Sequence, residues 1–338
     1  MYVEILALRS PQARFESYNR VMIKVMPTRA ILRICGFKSD YLGKDRKIIG
    51  ENPYPRRSVL ALALINLQEI WRFVFAIRPT KIQMRRTKSL RNSMCNKKAL
   101  ILGNGPSLNK LNVERVNQDD PDIWVVNNFY RYKLAKDLRV THYVITDPEH
   151  IRLNGKVRNR ELEEILSFIR EKSATIVLPH WTLDAPILTK LENVNVLYLD
   201  DRQLSAWSNN TSPLKPRGYL TITLYKALGF ALFLGYKEIC ILGMDNSLFK
   251  SHVSDVHNRI LQTPGNYAYT DKRTWDYTET FLDGMAGAFT MYSHLFGDLH
   301  KFKGPILNLD PDSLTTAFPK SAAHHWIVPP KNSGTEEN

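Results

Sequence analysis

Residues 97–108 read Lys97-Lys-Ala-Leu-Ile-Leu-Gly-Asn-Gly-Pro-Ser-Leu108, a short apolar run followed by a glycine-rich turn. The apolar run predicts a buried β-strand, and the turn predicts the start of a helix. In an α/β domain, a phosphate-bearing ligand is often held where a strand passes into a helix in this way. Gly103 and Gly105 permit a tight turn and a close backbone approach, while Asn104 and Ser107 offer hydrogen-bonding groups.

The loop matches neither of two widespread phosphate-binding fingerprints. Leu108 stands where the nicotinamide pattern has its third glycine, and no Gly-Lys-Ser/Thr follows as in a P-loop. Glycine turns are common in α/β folds, so these residues alone leave two interpretations open: a nucleotide-binding loop or a purely structural turn.

Short apolar runs recur downstream and alternate with stretches of helical length. The runs are 122–126, 141–145, 174–178, 194–198 and 238–242, and a long apolar stretch at 220–235 has the length of a helix. This alternation predicts a parallel sheet covered on both faces. We therefore predict an α/β fold, a single Rossmann-like domain with a mostly parallel sheet, with polar residues gathered at the strand ends where such sheets bind ligands.

Six short motifs occur in the order and approximate spacing of a known family. They lie at 103–108, 127–130, 234–239, 242–245, 266–269 and 309–314. Through them, roughly residues 97–320 resemble the bacterial sialyltransferases of glycosyltransferase family 42, which decorate lipooligosaccharide and related surface glycans. The glycine loop and the Gly-x-Asp strand end also resemble the archaeal 6-hydroxymethylpterin diphosphokinase-like proteins and the related motility accessory factors. Family 42 fits the later motifs better.

The family 42 resemblance implies a donor site for cytidine monophosphate (CMP) bearing the sugar. The residues expected to form it are Gly103, Asn104, Gly105, Ser107, Asn127, Asp147, Asp245 and Ser313. Asp147 stands where the family usually has Asn before Pro. Tyr267 would hydrogen-bond the donor phosphate and ease departure of the nucleotide. Turns favour most of these residue types and an aromatic residue packs readily in a core, so a structural role remains open for each of them.

The segment before the long apolar helix departs from the family pattern. The family has Arg-x-Thr-Ser-Gly there, whereas this chain has residues 215–223 with a different order. Arg217, Thr221 and Thr223 are the expected substitutes, and Arg217 is our candidate catalytic cation.

The general base is the second departure. The family uses a histidine, but ungapped matching places Ala286 or Ser293 at that position. His294 is the nearest histidine, and a neutral imidazole suits removal of a proton from a sugar hydroxyl, so we predict His294 as the base. The weaker candidates are His252, His257 and His300.

The resemblance implies an inverting, metal-independent transfer of sialic acid or a related nonulosonic acid to a hydroxyl of a lipooligosaccharide or capsule acceptor. No separate cofactor is expected, and Asp310 and Asp312 suit a turn better than a metal site. Two alternatives stay open. One is a pterin or nucleotide diphosphokinase-like enzyme that needs Mg²⁺, and the other is a noncatalytic glycan-assembly protein that lacks the base.

Positive charge is concentrated near the amino terminus. The chain carries a formal net charge of +14, and residues 1–95 hold 19 Lys and Arg against 6 Asp and Glu. Within this part, the apolar stretch 58–77 is too polar in its second half for a confident transmembrane span and is followed by a basic run. It suits either an interfacial helix on an anionic membrane or a helix packed on the domain. Nucleic acid is not an expected partner, because the basic run has no recognition motif.

These features predict three regions. A basic helical N-terminal module covers 1–95, the Rossmann-like glycosyltransferase domain covers 96–328, and a disordered tail covers 329–338. The three scattered cysteines, Cys35, Cys95 and Cys240, indicate a reducing compartment, and no signal peptide is visible. We expect a cytoplasmic protein, peripheral on the inner face of the cytoplasmic membrane, and leave open whether it forms a homo-oligomer.

Overall fold

The structure is a computed structural model that describes part of the chain. The described residues are 67, 69–151, 156–182, 191–204, 207–219, 222–245, 252–254, 256–257, 260–262, 268, 275–276, 298–321 and 323–328. The predicted tail and residues 1–66 of the predicted N-terminal module lie outside them.

Strands and helices alternate along most of the described chain. The strands are β1 (Lys98–Leu102), β2 (Asp122–Val126), β3 (Val140–Val144), β4 (Thr175–Pro179), β5 (Val196–Leu199), β6 (Glu238–Leu242), β7 (His252–Ser254), β8 (Ile260–Gln262), β9 (Trp275–Asp276) and β10 (Ile306–Asn308). The α-helices with assigned bounds are α1 (Lys81–Ser89), α2 (Val113–Asp119), α3 (Pro148–Ile151), α4 (Lys156–Glu171) and α5 (Thr223–Leu234). Short 3₁₀ turns follow β1, β2 and β4.

The main sheet has seven strands in the order β10-β6-β1-β2-β3-β4-β5, and every neighbouring pair is parallel. This confirms the predicted α/β fold with a mostly parallel sheet. A separate antiparallel sheet, β7-β8-β9, is an addition that the sequence patterns do not predict.

The strands form where they do because both of their faces are covered. On β1, Leu100 and Leu102 belong to one buried cluster, while Ala99 and Ile101 belong to a second cluster on the opposite face. A strand that is buried on both faces requires a continuous apolar run, which is the pattern that 99–102 shows.

Helix α5 contributes most of one face of this core. Nearly all of its side chains are buried, and it packs against β1, β2 and β3. It begins at Thr223 rather than at 220 as predicted, and Gly235 ends it in a left-handed conformation with φ of +79°. Glycine adopts that conformation without a steric penalty, which explains why the glycine after the apolar stretch marks the end of the helix.

The order of the strands reverses next to β1. The chain adds β2 to β5 on one side of β1 and then crosses to place β6 and β10 on the other side. Ligands of open parallel sheets bind at such a reversal, in the crevice outside the carboxyl ends of the two central strands. Here those strands are β1 and β6.

Helix α1 packs beside β5, which is the outermost strand of the main sheet on the side away from β10. It begins with a capping box in which the Thr80 hydroxyl accepts from Gln83 N, and the Gln83 side chain accepts from Thr80 N. Thr87 donates its hydroxyl to the Tyr198 carbonyl at 2.8 Å, and Gln83 donates to the His180 carbonyl at 3.0 Å. The last part of the predicted N-terminal module is therefore attached to an edge strand, and the boundary at residue 95 stays a prediction.

Candidate functional site

Two loops meet at the carboxyl ends of β1 and β6. The Gly103 amide donates to the Leu242 carbonyl at 2.8 Å, and the Gly105 amide donates to the Gly243 carbonyl at 3.0 Å. A Cβ atom at Gly103 would lie 2.2 Å from the Gly243 carbonyl oxygen, and Gly243 itself has φ of +79°. The glycines are thus required for the contact between the two loops, whatever ligand they also approach.

Ser107 and Asp245 join the same loops through their side chains. The Asp245 carboxylate accepts from the Ser107 amide at 3.0 Å and from its hydroxyl at 2.9 Å. The Ser107 oxygen in turn accepts from the Gly243 amide at 3.0 Å. Burial, together with the neighbouring Asp310 carboxylate, raises the pKa of Asp245 although the bonds from Ser107 oppose the shift. Both residues were expected to bind the donor, and here they fix the shape of the loop.

Three asparagines present oxygens without a protein partner at this edge. Asn104 donates its amide to the Val126 carbonyl at 3.3 Å, so its oxygen must point elsewhere. Within the described part of the chain, the buried Oδ1 atoms of Asn104, Asn127 and Asn128 accept no hydrogen bond from another protein group. Leaving a buried polar atom unpaired is unfavourable by about 1–3 kcal/mol, so three together are most simply explained by a ligand that donates to them.

A chain of hydroxyls extends from Asn127 to the start of α5. Asn127 Nδ2 donates to Thr223 Oγ1 at 3.3 Å, and Thr223 Oγ1 lies 3.0 Å from Thr146 Oγ1 at the end of β3. Ile222 is the residue before α5, and its side chain forms no capping hydrogen bond. The first turn of α5 contains no acidic residue. An uncapped helix N-terminus carries partial positive charge and attracts anions. A phosphate or carboxylate bound here would lie beside the asparagine oxygens.

The segment after β10 closes the site on the side of β6. The Ser313 hydroxyl donates to the Met244 carbonyl at 2.7 Å and accepts from the Thr315 amide at 3.2 Å. Lys110 joins this segment to the glycine loop, because its ammonium lies 2.8 Å from Asp310 and 2.7 Å from Asp312. Contact of Ser313 with a ligand stays a prediction, since its hydroxyl is already used by the protein.

Asp147 is half-buried and lies three residues after the end of β3, immediately before α3. The strand order therefore places it at the same edge of the sheet as Asn127 and Asn128, two strands away from β1. No described contact assigns it to a ligand, and its expected role stays a prediction.

Arg217 is buried in a cluster of charges near the end of β5. Its Nε donates to Asp201 at 3.0 Å, its Nη2 donates to Gln203 at 2.8 Å, and a third bond reaches the Tyr219 carbonyl. Lys226, on α5, lies 2.7 Å from the same Asp201 carboxylate. Burial alone would raise the pKa of Asp201, but the Lys226 ammonium and the Arg217 guanidinium hold it well below its usual range. A catalytic role for Arg217 stays a prediction, because three protein groups already engage its guanidinium.

The other two predicted catalytic residues, Tyr267 and His294, lie outside the described residues. The neighbour of the tyrosine is described: the Ala268 amide donates to the Asn104 carbonyl at 2.9 Å. The motif that carries Tyr267 is thus attached to the glycine loop. Of the alternative bases, His257 and His300 are exposed and His252 begins β7.

Sequence reasoning passed over two contributors to the site. Neither Asn128 nor Thr146 is among the residues expected to bind the donor. A signal is present for both, since each is a polar residue within two residues of the end of a buried strand of a parallel sheet.

The fold and the strand-end site define a Rossmann-like domain with a candidate nucleotide crevice. Comparison with protein-family models gives no match, and comparison with curated protein sequences gives none either. Solved structures that are similar to this chain include known glycosyltransferases, as follows.

The sialyltransferase CstII from Campylobacter jejuni, in complex with CMP-3FNeuAc, has 19% sequence identity and a TM-score of 0.40, covering 71% of this chain and 93% of that chain. The monofunctional α-2,3-sialyltransferase Cst-I from the same organism has 16% identity and a TM-score of 0.36, covering 68% and 81%. The MAf glycosyltransferase from Magnetospirillum magneticum has 14% identity and a TM-score of 0.41 over 78% of this chain, which spans only 42% of that protein. Sialyltransferases thus occur among the structures similar to this chain. Likeness of this degree concerns the course of the chain and assigns no activity.

The charge cluster around Asp201 gives a stability prediction. Asp201→Asn should lower the free energy of unfolding at pH 7 by about 3–5 kcal/mol, because it leaves two buried cations without their counter-ion. The folded-state pKa of Asp201 lies below the unfolded value of about 3.9, so its stabilising effect is present above that pH and is lost as the pH falls. Urea unfolding at several pH values should show the gap between variant and wild type narrowing below about pH 4.

Asp120→Asn is the matched control, since Asp120 forms an exposed ion pair with Arg139. It should change stability by less than about 1 kcal/mol. A loss at Asp201 as small as this control, or one that does not vary with pH, would contradict the ion-pair interpretation.

Proposed function

We propose that the protein is a glycosyltransferase that transfers sialic acid or a related nonulosonic acid from a CMP-activated donor to a hydroxyl of a surface glycan. The observation that carries the proposal is the group of unpaired, buried oxygens of Asn104, Asn127 and Asn128 beside an uncapped helix N-terminus. Ribose hydroxyls and the cytosine amino group are donors that suit such oxygens, and a phosphate or sugar carboxylate suits the helix end.

The proposed reaction needs stabilisation of the departing phosphate and removal of one proton from the acceptor hydroxyl. Tyr267 would donate its hydroxyl to the phosphate, and the bond between Ala268 and Asn104 supports its placement beside the glycine loop. His294 would take the acceptor proton. The transfer would invert the anomeric centre and proceed without a metal, because dipoles and hydroxyls aimed at the leaving group can carry its charge. An acceptor on lipooligosaccharide or capsule follows from the sequence resemblance.

Nucleotide preference provides the first test of this proposal. CMP should bind in the presence of a metal chelator, and Asn104→Ala and Asn128→Ala should each weaken binding by about 1–3 kcal/mol, since a ligand donor loses its acceptor. Isothermal titration calorimetry measures both effects. Asn117→Ala, on the exposed surface of α2, is the matched control and should bind CMP as the wild type does.

If both asparagine variants bound CMP as tightly as the wild type, the asparagine oxygens would not be contacts of the donor. The second candidate, a diphosphokinase-like enzyme, has support from the glycine loop and the Gly-x-Asp ending. It would replace the proposal if ATP bound only with Mg²⁺ and CMP did not bind.

The predicted base gives a kinetic test. His294→Ala should lower turnover with a CMP-activated donor by about 10²–10⁴ while leaving CMP affinity nearly unchanged, because the base acts on the acceptor proton. The matched controls are His257→Ala and His300→Ala, both at exposed positions, and each should retain activity. Loss of activity in a control variant alone would move the base to that position, and full activity in all three would leave His294 without a catalytic role.

A second part of the proposal concerns the membrane. Five large apolar side chains, which we call the apolar patch, are 47–60% exposed: Leu67, Trp71, Val74, Phe75 and Ile77. The Ile77 carbonyl is 2.7 Å from Nε2 of His180, which follows β4. The Phe73 ring lies 5.2 Å from the guanidinium of Arg202, which follows β5. The apolar patch is therefore fixed to the strand-end edge that also carries the donor site.

We propose that the apolar patch and the basic run after it hold the protein on the anionic inner face of the cytoplasmic membrane. Exposed aromatic side chains suit the interface between headgroups and acyl chains, and basic residues suit anionic lipids. Within the described residues, no helix is long and apolar enough to cross a bilayer. Attachment at this edge would bring the donor site close to a glycolipid acceptor.

Liposome sedimentation tests the membrane proposal. Trp71→Ala/Phe75→Ala should reduce binding to vesicles containing anionic lipid, because the double change removes the largest rings of the apolar patch, and binding of the wild type should weaken with salt. Trp207→Ala is the matched control, since Trp207 is 57% exposed but lies outside the patch. Equal loss in the control, or no binding of the wild type at low salt, would contradict the proposal.

A further inference from the structure

Three different metal-binding side chains converge at the amino-terminal half of β6. In the described part of the chain, Glu238, Cys240 and His324 offer ligand atoms that all lie within 4.8 Å of one another. Cys240 Sγ is 3.8 Å from Glu238 Oε1 and 3.9 Å from His324 Nε2. Glu238 begins β6 and the donor crevice lies beyond its last residue, so this cluster is separate from the candidate transfer site.

These separations are close to those of a tetrahedral zinc site. With Zn–S near 2.3 Å and Zn–N or Zn–O near 2.1 Å, neighbouring ligand atoms lie about 3.6 Å apart. The two distances from Cys240 Sγ exceed this by a few tenths of an ångström, and the Glu238 and His324 ligand atoms lie within 4.8 Å of each other. Small side-chain rotations can close these gaps. Thiolate, imidazole and carboxylate together form a donor set of intermediate softness, which favours Zn²⁺ over Mg²⁺ or Ca²⁺.

The surroundings of the cluster allow a cation to enter. Cys240 is fully buried, but Glu238 and His324 are each partly exposed, which gives a path from solvent and room for a water as fourth ligand. Lys98 lies 3.1 Å from Glu238 Oε1, but its side chain is 36% exposed and can turn towards water. Exposed ion pairs of this kind contribute little to the free energy of folding, so breaking the pair between Lys98 and Glu238 does not prevent metal binding.

Binding at this cluster would connect two parts of the chain that are far apart in sequence. His324 belongs to the segment 323–328, which crosses the loop between β1 and α2. There the Trp326 carbonyl accepts from the Asn112 amide at 2.7 Å, and the Val328 amide donates to the Lys110 carbonyl at 2.8 Å. Lys110 is also the residue that pairs with Asp310 and Asp312 beside the donor crevice. A metal bound to Cys240 would hold this segment against β6.

We infer that Glu238, Cys240 and His324 form a site for a zinc-like divalent transition metal, with three protein ligands and one water. The site fastens the segment 323–328 to the sheet and takes no part in sugar transfer. Metal binding releases the thiol proton of Cys240 to solvent, so a thiolate–metal bond forms in place of the S–H bond. The adjacent His325 is not part of the converging group of ligand atoms, and its Nε2 lies 2.5 Å from Asp119.

Cobalt titration of the full chain provides the test. In a Cys35→Ser/Cys95→Ser background, Cys240 is the sole thiol, so near-ultraviolet thiolate-to-cobalt charge-transfer absorption reports on it alone. We expect the band to saturate at one equivalent of Co²⁺ and to disappear when Zn²⁺ is added, because Zn²⁺ binds such ligands more tightly than Co²⁺. His324→Gln and Glu238→Gln should each weaken Co²⁺ binding about tenfold or more, while His325→Gln, the matched control, should leave it unchanged.

Thermal unfolding supplies an independent readout that needs no activity. Zn²⁺ should raise the melting temperature of the wild type in proportion to its binding and should have little effect on His324→Gln. The change at His324 is on a partly exposed side chain, so that variant keeps its core. The inference would be overturned if the Cys35→Ser/Cys95→Ser protein showed no charge-transfer band. Equal Co²⁺ affinity in His324→Gln and His325→Gln, or an equal Zn²⁺ shift of the melting temperature in both, would also overturn it.

Discussion

The backbone contact between Gly103 and Gly243 is the constraint on which the rest of the structure depends. The two residues directly follow the strands between which the order of the sheet reverses, and a Cβ atom on either would collide with the main chain of the other. Ser107 and Asp245 then close the contact with hydrogen bonds from both loops. The shape of the crevice is therefore set by hydrogen bonds between the two loops. The groups that remain for a ligand are those that take no part in these bonds.

Those remaining groups are largely neutral. Asparagine oxygens, threonine hydroxyls and a helix N-terminus gather at the crevice. The charges of the buried cluster of Asp201, Arg217 and Lys226 are instead paired with one another. A neutral, preorganised set of dipoles can discriminate a nucleoside by hydrogen bonding and still tolerate an anionic group at the helix end. Neutral groups at the crevice and paired charges elsewhere are compatible with the proposed transfer, in which the departing nucleotide carries the charge.

Local sequence signals predicted the parts of the fold that depend on short-range physics. The bounds of β2 and β6 match the predicted runs 122–126 and 238–242, because a strand buried on both faces needs an uninterrupted apolar segment. The pairing of Ser107 with Asp245 could not be predicted, since it depends on the chain crossing that places β6 beside β1. The antiparallel strands β7 to β9 are two or three residues long, too short to give a periodic pattern. Similarly, the pairing of Arg217 with Asp201 and Gln203 could not be predicted, because it depends on how the segment after β5 lies against residue 217.

The crossing between β5 and β6 also determines when the crevice can exist during folding. β1 can pair with β2 as soon as Asp122–Val126 has been made, but its other edge must wait until the chain has continued from Lys98 to Glu238. Parallel pairing over such a separation is slow, because the closure of a long loop precedes the contacts that stabilise it. During synthesis the exposed edge of β1 is therefore an opening for wrong strand pairing, and the glycine loop acquires its final shape only after most of the chain has left the ribosome.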